Sequence, residues 1–562
     1  MRKILFYIGF FILLISIASC RKDTDEVDPD ISDSTDGYAH EEASDYIWDE
    51  NSVLTINLNG TSIESSADGV LINGTIVTIQ KTGNYKITGT LNDGQVIIDT
   101  DTSSVIRIIL NNCNVTNSTG PAILVQKSKK TIINIPFGTV NTLEDGPVYT
   151  NPTDDPNATL FSKSDVTIFG EGSLNVIANF QDGISSKDGL IIKSGIVNIV
   201  SKDDGLCGKD YLIIHDINLQ IESQGDGIRS DDASNSAVGY ILIDAGTFKI
   251  ESAADGITAV NYINIAGGNL NLTTGGGSSI TPAEISCKGI KSDSKITLAA
   301  ATCNVNSSED AIHSKKSVEI ISGSYTLQSA KKGINADDSV VINSDLTITK
   351  CEEGIESKFI TVNHGNVVVI SSDDSFNATA GQATENDDQS CIYINGGTIV
   401  LNGSNGDALD SNGSILLTDG KVIIHGPNSA PEVALDYNGT FKVNGGLLIA
   451  SGTNSNMTQP PSESSSQNSI KITFRNSYPA STLFHIRDSE GNELVTFKPE
   501  RQFQSMIFSS ASISTGVTYY IYVSGSYTGN EEYGFFSGGT YTPGTELTTF
   551  TVSGKITSLN NI

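Results

Sequence analysis

A short motif recurs along this chain at a spacing few folds can use. Asp182-Gly183-Ile184, Asp204-Gly205-Leu206 and Asp226-Gly227-Ile228 lie 22 residues apart; Asp255-Gly256-Ile257 and Lys288-Gly289-Ile290 follow after gaps of 29 and 33. Asp310-Ala311-Ile312, Lys332-Gly333-Ile334 and Glu353-Gly354-Ile355 continue at 22, 22 and 21, then Asp374-Ser375-Phe376 at 21 and Asp407-Ala408-Leu409 at 33. A regular period marks a solenoid, and one near 22 residues predicts an all-β chain wound as a parallel β-helix. Equivalent residues of successive coils then stack about 4.8 Å apart. A repeated Asp becomes a column of carboxylates, and that column needs a physical explanation.

Each triplet is followed by a short β run, a Gly-marked bend and a second β run, as in 241–250 and 392–401. Alternating apolar residues predict a packed bore, with Gly or Asn supplying left-handed bends. No helical period appears in the repeats. The longer gaps mark loop insertions over Asp232–Val238, Gly275–Ser286 and Thr379–Ser390. The solenoid is expected over 46–450, with degenerate first coils, and a Pro/Ser/Asn-rich linker or long loop over 451–469. The aromatic-rich remainder, 470–562, reads as a small antiparallel β module on the C-terminal end.

Residues 1–20 read as a signal peptide: Met1-Arg2-Lys3, an apolar run from Ile4 to Ile15, then Ile17-Ala18-Ser19-Cys20. That ending looks like a bacterial lipobox, making Cys20 the expected lipidation site. Residues 21–45 lack pattern and suit a disordered acidic tether. Their opening charges resemble the surface-export signal of Bacteroidetes lipoproteins. The expectation is an outer-membrane lipoprotein of the cell envelope, surface-exposed and touching membrane only through its lipid. A net charge of −31, from 65 acidic and 34 basic residues, argues against nucleic acid or anionic lipid as a direct partner and permits divalent cations. The six remaining cysteines form no CxxC pair and read as small buried hydrophobes, with inter-coil disulfides left open.

Unit charges stacked about 4.8 Å apart repel by roughly 1 kcal/mol in water and roughly 3 kcal/mol at an effective dielectric of 20. Asp182, Asp204, Asp226 and Asp255 therefore need solvent, salt bridges from Lys187 and Lys209, or a hard cation. Asp203 and Asp231 add oxygens nearby, and calcium takes six to eight such ligands. A second cluster stacks Glu352, Glu353 and Glu356 under Asp373, Asp374 and Asn377, and these under Asp407, Asp410 and Asn412. No lysine is expected to interrupt it, which favours calcium there. Around Lys288, Asp310 and Lys332, alternating charges read as ion pairs.

Several ordered blocks carry a family resemblance: Phe161-Ser162-Lys163-Ser164-Asp165, Asp182 to Asp188, Glu353-Gly354-Ile355-Glu356, Phe508-Ser509-Ser510 and Gly516-Val517-Thr518-Tyr519. From about Asn51 onward the chain resembles the bacterial β-helix carbohydrate-binding family typified by a clostridial cellulosome-associated protein that binds polygalacturonate and cellulose. The resemblance implies a right-handed β-helix, bound calcium, pectin-type ligands and a lyase-like shape without established catalysis. The chain departs from the pattern at Asp374-Ser375-Phe376 and by placing Lys288 and Lys332 in the acidic column. The expected function is that of a tethered, monomeric, non-catalytic polysaccharide-binding protein using calcium, with no catalytic residue assigned. Two alternatives stay open. One is a calcium-dependent polysaccharide lyase with Lys288, Lys332 or Arg229 as base; the other is an adhesive or structural surface solenoid.

Overall fold

The computed structural model describes residues 40–150, 155–281, 284–381 and 386–562. The chain divides into two units, 1–46 and 47–562. The leader, Cys20 and most of the expected tether lie outside the described residues. Among the described residues no helix is long and apolar enough to cross a membrane.

Among its described residues the second unit is all-β save one 3₁₀ turn, Glu50–Ser52. A parallel-dominated sheet of 47 strands runs along it, joined by a six-stranded antiparallel sheet. This arrangement is consistent with a β-solenoid. Asp182–Ser186, Gly189–Ile192 and Ile196–Ser201 pair with Leu206–Gly208, Tyr211–Ile214 and Asn218–Ser223 in turn. The third residue of each triplet registers with its successor: Ile184, Leu206, Ile228, Ile257 and Ile290. The row continues through Ile312, Ile334, Ile355, Phe376 and Leu409, and ends on Leu435. All are buried in one continuous aliphatic core. Strand alternation sends their neighbours outward, so each short strand contributes one or two core residues.

Glycine has two jobs here. Gly195 and Gly246, just before the third strand, and Gly323, which opens it, have φ of 124°, 122° and 114°, the positive-φ bend expected from sequence. The triplet glycines act through close approach instead. A Cβ on Gly227 would stand 2.5 Å from the carbonyl oxygen of Gly256 and 2.4 Å from Ile250 Cγ2.

All six described cysteines are free; five are buried and Cys207 is partly exposed. Between Gly452 and Ser469 the chain forms no strand but is tied to the last repeat. Ser462 N–H donates to Phe441 O, and Gln467 N–H to Val443 O. Leu447–Gly452 then pairs antiparallel with Phe503–Ser510, which ends the parallel run. Phe474, Phe484, Phe497 and Phe508 form a second core with Val400, Ile423 and Ile449, outward residues of the last repeats. The antiparallel module therefore covers the flank of these repeats as well as their end.

Candidate functional site

The repeated Asp has a structural role that the sequence reading missed. Asp226 N–H donates to Asp204 Oδ1 at 2.7 Å, Asp255 N–H to Asp226 Oδ1 at 2.9 Å and Lys288 N–H to Asp255 Oδ1 at 2.8 Å. Asp407 N–H donates likewise to Asp374 Oδ1 at 2.7 Å, and Val433 N–H to Asp407 Oδ1 at 2.5 Å. Each carboxylate thus satisfies the next repeat's backbone donor at a bend. An unpaired buried N–H would otherwise carry a desolvation cost of about 1–3 kcal/mol.

The second oxygens find cations, but not the expected ones. Lys187 pairs with Asp155 at 2.8 Å rather than with the column, and Lys209 forms no ion pair among the described residues. The partners come from the outward residue three positions after the triplet's first. Arg229 binds Asp204 at 2.9 Å and Asp231 at 2.8 Å, and Lys291 binds Asp255 at 2.8 Å. His313 Nδ1 lies 2.9 Å from Asp310. Two members of the column lack such relief. Burial, then Asp204 and Asp203, raises the Asp182 carboxyl well above its usual range. Burial, then Asp204 and Asp255, raises Asp226 to about 7. Asp203 is raised as well, by burial and then Asp204. Asp182, Asp204 and Cys207 offer ligand atoms within 4.8 Å of one another. Beside them a groove of about 530 Å³ is lined by Asp203, Asp226, Asp255, Arg229 and Lys291.

The second cluster is stacked as expected in its outward row, where Glu356 registers with Asn377 and Asn377 with Asp410. One expectation is corrected: a lysine does interrupt it. Lys332 reaches Glu353 at 3.2 Å and Glu356 at 2.5 Å, because it registers beside Glu353 in the preceding strand. Glu353 is still pushed up to about 7, by burial and then Glu356, with Lys332 pulling the other way.

Among the described residues no Lys, Arg or His forms an ion pair with Asp373, Asp374, Asp407 or Asp410. Burial raises Asp374 and Asp407 to about 7 and Asp410 to about 8, with neighbouring carboxylates adding to each. Asp407, Asp410 and Asp436 hold oxygens within 4.8 Å of one another. Asn377 Oδ1, in the same outward row, is buried without a hydrogen-bond partner. Asp436 was absent from the sequence reading. Its repeat begins with Val433, so no triplet marks it, although its register with Asp410 places it in the row. Carboxylates and an amide oxygen make a hard donor set, suited to calcium by chemistry and ligand type.

The geometry defines an all-β protein built on a long, parallel-dominated sheet with stacked acidic rows, consistent with a β-solenoid. Residues 73–333 and 323–473 match the family model described as carbohydrate-binding domain-containing protein, and the chain belongs to that family. A curated relative of the same description, from Acetivibrio thermocellus, is 36% identical over 228 residues, covering 40% of this chain and 78% of its own length. A solved polysaccharide lyase-like protein from C. thermocellum, in a gadolinium derivative, aligns with a TM-score of 0.40 at 28% identity. That alignment covers 44% of this chain and 96% of the other.

Proposed function

We propose that this carbohydrate-binding domain protein is a surface-tethered, non-catalytic binder that uses calcium to hold an acidic plant polysaccharide such as polygalacturonate. It would wind as a right-handed β-helix of about 22 residues per coil, anchored through Cys20. One observation carries the reading: Asp374, Asp407 and Asp410 crowd at the same end of the repeats with no ion-paired counter-cation in the described chain. Calcium bound by Asp407, Asp410 and Asp436, with Asn377 beside them, would relieve that repulsion. Calcium takes six to eight oxygens, so such a site keeps positions for sugar carboxylates. The cation therefore reconciles an anionic ligand with a chain of net charge −31. The lyase alternative needs an unengaged base, and each candidate is committed: Lys288 to Glu309 at 2.6 Å, Lys332 to two glutamates and Arg229 to two aspartates.

The test is a titration of the mature protein with polygalacturonate, with and without EDTA, while recording absorbance of unsaturated product. Binding that EDTA abolishes, with no product, is expected. Product formation would establish a lyase. No binding in calcium would sink the pectin assignment.

A further inference from the structure

Lys163, Lys187 and Lys209 directly follow Ser162, Ser186 and Gly208, which pair with one another across adjacent strands. Backbone bonds from Lys187 N–H to Ser162 O and from Lys209 N–H to Ser186 O, at 2.9 and 3.0 Å, hold the three at strand spacing. They form a cationic ladder on a chain of net charge −31. Lys163 and Lys209 are exposed and have no side-chain hydrogen bond or ion pair among the described residues. Lys187 pairs with Asp155, with both side chains more than a third exposed, and its ammonium lies 5.8 Å from the centre of the Phe161 ring.

Of the acids nearby, exposed Asp232 feels the Lys209 charge while accepting from Ser234 N–H, and the others are engaged elsewhere. Asp165 accepts from Gly189 N–H and Tyr211 OH, at 3.0 and 2.9 Å. Asp231, in the next repeat, is held by Arg229. Asp188 and Asp210 are raised by burial and then by neighbouring carboxylates, with none of these lysines opposing the shift. By contrast, Lys288, Lys291, Lys315 and Lys332 are each held in an ion pair.

We infer that the Lys163–Lys187–Lys209 ladder is a second contact site for a linear polyuronate, binding successive carboxylates directly rather than through a metal. The inference rests on the acidic-polysaccharide reading above. A residue of an extended glycan advances by a length comparable to strand spacing, so neighbouring carboxylates can meet neighbouring lysines. Exposed lysines suit this task, because each ammonium swings over a wide arc and offers three donors.

The test compares polygalacturonate binding, in calcium, by the full mature chain and by a Lys163→Gln/Lys187→Gln/Lys209→Gln variant. A control variant, Lys81→Gln/Lys249→Gln/Lys315→Gln, changes net charge equally at exposed, ion-paired lysines. The ladder variant should bind about tenfold more weakly and lose part of the salt dependence, while the control stays within about twofold. Equal weakening of both variants, or unchanged binding by the ladder variant, overturns the inference and leaves calcium-dependent binding intact. Failure of the unmodified chain to bind polygalacturonate removes the reading and the ladder together.

Discussion

Replacing one carboxylate of the second cluster should stabilise the metal-free protein and abolish part of its response to calcium. Asp410 is the best choice. Its carboxyl ionises near 8 in the folded chain against 3.8 for a free side chain, because of burial first and then Asp374, Asp407 and Asp436. A raised folded pKa means that stability is fully present below the unfolded value and lost as pH rises toward 8. At ~1.36 kcal/mol per tenfold, ionising Asp410 opposes folding by at most ~6 kcal/mol. Repulsion among these acids is mutual, and an amide in the same place still lacks solvent. Asp410→Asn should therefore recover only about 2 kcal/mol at pH 8.5 in EDTA, and almost nothing at pH 4. Solenoids open locally, so the assay is hydrogen exchange of Leu409–Ser411 and Leu435–Tyr437. In EDTA at pH 8.5 these strands should be slower to exchange in the variant than in the unmodified chain. Calcium should reverse the order, protecting the unmodified chain more. Faster exchange in the variant without metal, together with no calcium effect on either protein, would refute the reasoning.

Three further outcomes follow from other contacts. Arg229→Ala leaves Asp204, whose side chain is 5% exposed, without its cation; stability should fall by about 3 kcal/mol, measured by urea denaturation. Gly227→Ala drives a methyl group against Gly256 O and Ile250, so the thermal midpoint should drop with a cost of about 1–3 kcal/mol. His485 is held down to about 4, by burial and then Arg487, and stacks on Tyr541 with centroids 3.8 Å apart. A depressed folded pKa leaves its contribution intact above 6.5 and removes it as pH falls through 4, about 3 kcal/mol in all. Near-ultraviolet dichroism of the terminal tyrosines should therefore show the module loosening near pH 4 before the far-ultraviolet β signal changes, and His485→Gln should flatten that acid limb.

The triplet made the all-β, parallel-dominated architecture legible because a buried apolar residue must recur wherever strands stack in register. Ile184 to Leu409 is that row, and its period was in plain view; only its last member, Leu435, was not. The stacking of Glu356, Asn377 and Asp410 was legible for the same reason. The ion pairing was not. Arg229 directly follows the triplet of Asp226 yet reaches back to Asp204 in the preceding repeat, and Lys332 reaches forward to Glu353 and Glu356. Such diagonals depend on side-chain length and direction, which a period does not encode. Asp436 was hidden by Val433, which accepts a turn without carrying its carboxylate. The backbone donors that occupy the Asp column were also invisible, since every non-Pro residue carries an N–H and only the fold decides where it points.

The most direct test of calcium-mediated binding is paired calcium and polygalacturonate titration calorimetry on the unmodified chain and on Asp374→Asn/Asp407→Asn. The account predicts that the double variant loses at least one calcium per chain and binds polygalacturonate no better than the unmodified chain does in EDTA. Full calcium stoichiometry in the variant, or unchanged polygalacturonate affinity, would contradict it.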